Sequence, residues 1–351
     1  DRLYFNDGAG HFSPAPEGVL PRDGESTSAV AVGDMDGDGR SELFVGGRVV
    51  PGRYPESPRS FLYGWTDEGA FIDVTEERAP GLRSIGMVTG AAWSDLDGDG
   101  WPDLVLTREW GSVVCLKNTG GRLEVPSSGT GLDEKSGWWS ALQVVDVNGD
   151  SRPDLVVGNV GLNTKYRATE EEPTVLLAGV FDRSGREELV EAQYEKGRLM
   201  PMRGRSKLGY SFPWIRRKYP TFKAYSTARV DEIFEADRLS GVAVFEATEL
   251  ASGIFINHSE PGRLWFEFER LPREAQLAPI NAVAVVDFNQ DGWDDLVCVG
   301  NHLGPEPSTG RFDGGLGVVL VGDGRGTFSA KSPGESGFVV PGESRSLAGI
   351  R

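Results

Sequence analysis

The chain has 351 residues, enough for one large repeat domain or two smaller ones. Its 53 acids against 36 bases leave a net charge of −17, which argues against nucleic acid as a partner, because phosphate contacts need Lys and Arg. An aromatic content of 10% excludes a disordered low-complexity chain, and no run of 18 apolar residues is available to span a membrane. Glycine, 48 of 351, is at about twice the usual share, and many short strand-like runs between Gly-rich turns mark an all-β sandwich, barrel or propeller.

The chain begins at Asp1 without Met or a signal peptide and reads as a mature or truncated fragment. Residues 1–13 read as a hairpin, strand, Asp-Gly turn and strand. The first of four related turns follows: Asp34-Met-Asp36-Gly-Asp38-Gly-Arg40-Ser-Glu42. The others are Asp95-Leu-Asp97-Gly-Asp99-Gly-Trp101-Pro-Asp103, Asp146-Val-Asn148-Gly-Asp150-Ser-Arg152-Pro-Asp154 and Asp287-Phe-Asn289-Gln-Asp291-Gly-Trp293-Asp-Asp295. Oxygen side chains stand at positions 1, 3, 5 and 9 of each, with Gly at 4 or 6 or both. Ca²⁺ takes about six to eight oxygens, often including the position-7 carbonyl, here that of Arg40, Trp101, Arg152 or Trp293. Four Ca²⁺ ions are the expected cofactors. An EF-hand also needs a Glu at position 12 between two helices. Position 12 is Val45, Leu106, Val157 or Cys298, and the flanks are β-branched apolar runs, so the unit is strand, Ca²⁺ loop, strand. One such turn alone would ordinarily be a solvated hairpin; four copies at matched offsets between matched strands reverse that reading.

Each unit continues through a long connection into a second hairpin, as in Phe61-Leu-Tyr, Val114-Cys-Leu, Ile254-Phe-Ile and Val318-Val-Leu. Four antiparallel strands per repeat of about 50 residues predict propeller blades. A worn copy at Val180-Phe-Asp182-Arg-Ser184 lacks the first ligand and is expected to hold no ion. The interval before Asp287 is expected to hold one more blade and a helical insertion at 203–239, in which Phe222, Tyr225 and Ile233 would share one helical face. Residues 203–223 carry seven cations and no acid, either a cap lying on the acidic propeller or a docking patch for an anionic glycan or partner. The last residues, 343–351, read as the start of another inner strand, which hairpin 1–13 would complete, closing a single propeller of seven four-stranded blades over 1–351. Cys115 and Cys298 sit in strand-like runs and read as buried free thiols.

The repeated pattern small-x-Ala-x-x-Asp-x-Asp/Asn-Gly-Asp-Gly-x-x-Asp/Glu-Leu-x-Val resembles the FG-GAP repeats of integrin α-subunit propellers and bacterial VCBS-type repeats. The runs at 43–55, 158–167 and 300–313 are closer to secreted bacterial proteins of the ASPIC/UnbV and cartilage-acidic-protein group. That resemblance implies a Ca²⁺-loaded propeller at the cell surface, in the periplasm or outside the cell, whose ions stiffen blades and do no chemistry, and which serves adhesion or ligand binding. The match departs at Val180 and Ser184, and the group's C-terminal domain is not in this chain.

The Ca²⁺ loops join the first and second strands of each blade, so they share one end of the ring. The connections after the second strand emerge at the other end and are rich in aromatic and charged residues, which is where a rigid scaffold concentrates binding groups. Candidate ligand residues there are Arg53, Tyr54, Trp110, Trp138, Trp139, Asn163, Tyr166, Arg167, His302 and Arg311. They would hold an extracellular protein or glycan, unless these loops serve only to lock neighbouring blades. A non-catalytic binding module is the leading reading. A polysaccharide lyase or hydrolase is the alternative, for which His302 with Glu306 is the one candidate acid–base pair.

Overall fold

The computed structural model describes residues 2–22, 24–126, 128–305 and 309–348, so Glu306 and the last part of the expected C-terminal strand lie outside the described residues. The fold is all-β with a few short helices. A hairpin, β1 (Tyr4–Asn6) and β2 (Phe12–Pro14), comes first. Sheet 1 holds β3 (Ser26–Gly33), β4 (Glu42–Val49), β5 (Phe61–Trp65) and β6 (Phe71–Asp73), followed by helix α1 (Thr75–Arg78). Sheet 2 holds β7 (Met87–Ser94), β8 (Asp103–Ser112), β9 (Val114–Asn118) and β10 (Leu123–Glu124), with β11 (Ser136–Trp138) added along the end of β8. Sheet 3 begins with β12 (Ala141–Val145) and β13 (Asp154–Gly158).

The chain then leaves sheet 3. It builds sheet 5 from β14 (Thr174–Gly179), β15 (Glu188–Glu195), β16 (Arg198–Pro201) and β17 (Ala243–Ala247). Between β16 and β17 lie α2 (Arg205–Ser211), α3 (Ile215–Lys218), α4 (Phe222–Ser226), α5 (Val230–Ile233) and α6 (Ala236–Leu239). Sheet 3 resumes with β18 (Gly253–Asn257) and β19 (Phe266–Arg270), and β13 pairs directly with β18 through Leu155–Phe255 and Val156–Ile254. Sheet 4 is β20 (Ile280–Val286), β21 (Asp295–Gly300), β22 (Val318–Gly322) and β23 (Phe328–Lys331).

The alternation of side chains along a strand explains why both faces of these strands are apolar. Leu104 and Leu106 of β8 face sheet 1, where they meet Phe44 and Leu62, while Val105 between them faces sheet 3. Leu155 and Val157 look back to sheet 2, and Val156 looks on to Leu296 and Cys298 of sheet 4. Sheets 1 to 4 therefore stack face to face in chain order, with β3, β7, β12 and β20 as successive neighbours. Cys115 and Cys298 are buried in these layers as free thiols.

Three expectations change here. Sheet 5, which carries the worn Asp182 turn, is an insertion inside sheet 3; it had been expected as a further blade of the ring. Direct pairing of β13 with β18 leaves it outside the stack. Phe222 is exposed, whereas Tyr225 and Ile233 are buried under sheet 5; two short helices, α4 with Phe222 and Tyr225 and α5 with Ile233, replace the single one that would have aligned them. Among the described residues no ring closes: β1 and β2 pair only with each other, and residues 343–348 form no ladder. Ser344 is nonetheless seated beside the last sheet, its N–H donating to Gly300 O at 2.8 Å and its carbonyl accepting from Asn281 Nδ2 at 2.9 Å.

A repeated tether joins each sheet to the one before it. Asn118 Nδ2, at the end of β9, donates to Met35 O in the first acidic loop at 2.7 Å and to Pro102 O in its own at 2.9 Å. Asn257, at the end of β18, does the same with Leu96 O at 2.8 Å and Pro153 O at 2.9 Å. In sheet 4 the backbone N–H of Gly326 takes the role, donating to Val147 O at 3.1 Å. Replacing Asn257 by Ala leaves two largely buried carbonyls without this donor, so Asn257→Ala should cost about 1–3 kcal/mol, read as a lower denaturant midpoint.

Candidate metal loops and a hub cleft

All four acidic turns use one hydrogen-bonding scheme. The position-1 carboxylate accepts the N–H of position 6 and at least one from position 4 or 5: Asp34 from Gly37 and Gly39 (2.8 and 2.9 Å), Asp95 from Asp99 and Gly100 (3.1 and 2.8 Å). Asp146 accepts from Gly149 and Ser151 (2.8 and 2.7 Å), and Asp287 from Asp291 and Gly292 (both 3.0 Å). The position-5 carboxylates of Asp38, Asp99, Asp150 and Asp291 each accept the N–H of position 7, at Arg40, Trp101, Arg152 and Trp293. Where loops three and four lack a glycine, Ser151 and Gln290 still adopt φ of 67° and 60°. The turn is held despite a cost of roughly 1–2 kcal/mol for a side chain in that region.

Position 9 is the most buried member. Glu42, Asp103, Asp154 and Asp295 are closed to solvent, and each accepts the N–H of position 2, from Met35, Leu96, Val147 and Phe288 (2.9, 3.3, 3.0 and 2.9 Å). In loops two to four the other oxygen accepts from the end of the third strand, at Asn118, Asn257 and Gly322 (2.8, 2.7 and 2.9 Å). Burial lifts the carboxyls of Asp103 and Asp154 from 3.8 to about 6, and raises Glu42 as well. A divalent cation at these oxygens favours the charged form and opposes that rise.

Oxygens of Asp34, Asp36 and Glu42 lie within 4.8 Å of one another, as do those of Asp95, Asp97 and Asp99, so both groups could hold a cation. In the other two loops Asn148 Nδ2 donates to Asp150 Oδ2 at 3.2 Å and Asn289 Nδ2 to Asp291 Oδ2 at 2.7 Å. The chain also brings its own cations. Lys117 Nζ bonds Asp97 and Asp99, both at 2.7 Å, and lies 3.4 Å from Asp103; Arg78 Nη1 bonds Asp36 at 2.9 Å and Glu42 at 3.2 Å. Burial opposes charge on Lys117, but these acceptors win and hold its ammonium above the usual range. Sequence reasoning missed both residues, because each comes from another element. Trp101 and Trp293 pack on the hairpins of their own sheets; a Cβ at Gly324 would lie 2.3 Å from Trp293 Cδ2.

The other ends of the inner strands surround a cleft of about 570 Å³. Ser28, Thr89, Ser140 and Asn281 line it, each six residues before the first Asp of a loop. Six residues of strand put it about 20 Å from the acidic turns. That constant offset was the signal in the sequence that went unread. Ser28 Oγ donates to Val88 O at 2.8 Å and Ser140 Oγ to Ile280 O at 2.6 Å, so two of these polar groups also bind the next inner strand. Arg48, Glu109, Glu343 and Arg345 add charge, and His302 adds an imidazole. Glu109 pairs with Arg48 and accepts Tyr54 Oη at 2.8 Å, which in turn accepts Trp110 Nε1 at 2.6 Å. Burial first, then Glu109, pushes the Tyr54 phenol well above its ordinary value. His302 Nδ1 lies 3.7 Å from Glu343.

The candidate ligand residues divide. Trp138 and His302 line the cleft, while Tyr54 and Trp110 brace it through Glu109. Trp139 has only 1% of its surface exposed: its ring is core, packed on Phe255 and Phe268, with one edge reaching the cleft wall. Tyr166, 6% exposed, is wedged against Trp138 and Phe312 with its hydroxyl on Glu191 at 3.2 Å. Asn163 bonds Leu277 O at 3.1 Å, tying its loop to the turn before β20, and Arg167 bonds Thr164 O and Tyr166 O within the loop. Arg53 pairs with Glu56 beside a separate cleft, and Arg311 is exposed outside the hub lining. The indole N–H groups of Trp138 and Trp139 are buried without an acceptor among the described residues.

Residues 1–45 and 95–157 match the FG-GAP-like repeat family. The chain carries FG-GAP-like repeats. No curated protein matches it. Among solved structures it is similar to the V. cholerae biofilm matrix protein Bap1, at 13% identity and a TM-score of 0.31 over 87% of this chain and 39% of that one. It is also similar to the exotype rhamnogalacturonan lyase YesX, at 14% identity and a TM-score of 0.32 over 89% of this chain and 50% of that one. The chain thus spans half or less of the length of these structures. No described helix is long and apolar enough to cross a membrane.

Tyr166 was expected to be a replaceable ligand contact, and its burial changes that expectation. Tyr166→Ala should destabilise the protein by about 3–5 kcal/mol, as for other large aromatic truncations, measured as a shift in the unfolding midpoint.

Proposed function

We propose that this FG-GAP-repeat chain is a non-catalytic binding module that works outside the cytoplasm, with Ca²⁺ stiffening its loops and a glycan taken in the hub cleft. Its four stacked sheets are consecutive blades of a propeller, of the ASPIC/UnbV and cartilage-acidic-protein type. The observation that carries the reading is the division of labour along each inner strand. One end enters an acidic turn with a single repeated hydrogen-bond scheme, and the other presents a polar side chain to a common cleft.

The donor chemistry fits a hard cation: carboxylates at positions 1, 3, 5 and 9 of loops one and two, and Asn oxygens at position 3 of loops three and four. Sites of this kind in extracellular modules suit millimolar Ca²⁺. An ion bound only by the folded state stabilises it by mass action, about 2.7 kcal/mol per site at a hundredfold excess over Kd. Removing Ca²⁺ with a chelator should therefore lower the melting temperature, and adding Ca²⁺ back should restore it. Equal melting in both conditions contradicts the stiffening role.

The cleft mixes acceptors (Glu109, Glu343), donors (Arg48, Arg345, His302) and the Trp138 ring, a set suited to a hydroxyl-bearing ring with aromatic contact on its apolar face. Tyr54 has its proton engaged by Glu109 and is poorly disposed as a base. A glycan screen with the Ca²⁺-loaded protein should find a bound sugar. Arg345→Ala, at the exposed mouth, should weaken that binding without changing the melting temperature. Turnover of a polysaccharide in the same screen would establish the enzymatic alternative instead.

A further inference from the structure

Residues 203–223 remain outside this account. They carry Arg203, Arg205, Lys207, Arg216, Arg217, Lys218 and Lys223 without one acid, in a chain of net charge −17. A cap lying on the acidic sheets would pair these cations with carboxylates. The structure uses three of them differently. Arg205 donates to Tyr219 O, Arg216 O and Pro220 O (2.5, 3.2 and 3.1 Å), Arg216 to Ser206 O (3.3 Å), and Lys218 to Glu232 O and Ile233 O (2.8 and 3.1 Å). These are carbonyls of the insertion itself, so the positive charge is not neutralised there.

Two exposed rings complete the surface. Tyr210 is 78% exposed with the Arg216 guanidinium 4.8 Å from its centroid, and Phe222 is 65% exposed with Arg205 at 5.3 Å. Arg205 reaches the Arg216 carbonyl and Arg216 reaches the Ser206 carbonyl, so the four side chains form one continuous row. Gly209 leaves room for it, since a Cβ there would lie 2.9 Å from Arg216 Nε. The helices that carry it are anchored by Leu208 and Ile215, buried in one cluster with Phe212, Phe234 and Phe181, whose rings pack edge to face or tilted on one another. Both rings stand in water with a guanidinium beside each.

We infer that this row on the helical insertion is a second binding surface, separate from the hub cleft, for an acidic polysaccharide of the polyuronate class. A guanidinium presents two parallel N–H groups to a carboxylate, and an aromatic ring accepts the C–H face of a sugar, so a chain with one carboxylate per ring matches two neighbouring pairs of ring and guanidinium. An anionic membrane is less well matched: its usual reader is a longer amphipathic helix, and α2 to α4 are short with only two exposed rings.

The test is titration of the intact chain with oligogalacturonate, neutral galactan, polythymidylate and anionic phospholipid vesicles. Oligogalacturonate should bind, with affinity falling between about 50 and 200 mM salt, and galactan should not. The double variant Tyr210→Ala, Phe222→Ala should lose at least about tenfold in affinity with its melting temperature unchanged, since both rings are exposed. Arg217→Glu with Lys223→Glu should weaken binding and flatten its salt dependence, while Arg345→Ala at the hub leaves it intact. Undiminished affinity in the double variant, absence of oligogalacturonate binding, or preference for polythymidylate or vesicles each overturns the proposal.

Discussion

The buried carboxylate at the ninth position of each acidic turn is the interaction on which the rest hangs. It fixes the turn from within by accepting the second residue's N–H. In three of the four turns it also accepts from the end of the third strand, so the turn and the outer hairpin are set by one side chain. A carboxylate without solvent is costly unless its oxygens are occupied. That cost makes the local geometry close to all-or-none, and it explains why four turns with different fillings converge on one scheme. The Asn118 and Asn257 tethers then carry the same order to the preceding sheet.

Because the last three turns are braced to their own outer strands and the first three to the following sheet, the inner strands are held side by side, and their far ends meet at the cleft. The polar residues six positions upstream of the turns are brought together for that reason alone. Rigidity at one end and a cleft at the other are consequences of one spacing. The presence of Lys117 and Arg78 among the acidic side chains adds a competing source of positive charge, so the first two turns are not left as bare anionic clusters.

Much of this is legible in the sequence. The strand–turn–strand unit follows from Asp spacing and β-branched flanks, and the all-β class from glycine and turn frequency. The ligand face was read less well. Trp139 and Tyr166 looked like surface aromatics because they sit next to loops, yet both are packed, and nothing in a one-dimensional pattern separates a loop aromatic that points outward from one that closes a core. The Arg48–Glu109–Tyr54–Trp110 chain joins sheets 1 and 2 across more than fifty positions of sequence, a separation at which no local rule operates.

The sequence by itself determined the repeating unit, the oxygen-rich turns and the alternation that makes both strand faces apolar, since each depends on residues within a dozen positions of one another. Tertiary structure alone decided that the fifth sheet is an insertion within the third, because that rests on β13 pairing with β18 across a long interruption. It also decided which cations sit in the acidic turns, which aromatics are core, and where the hub cleft lies. Those outcomes depend on distances between elements that are remote in the chain, and only packing sets such distances.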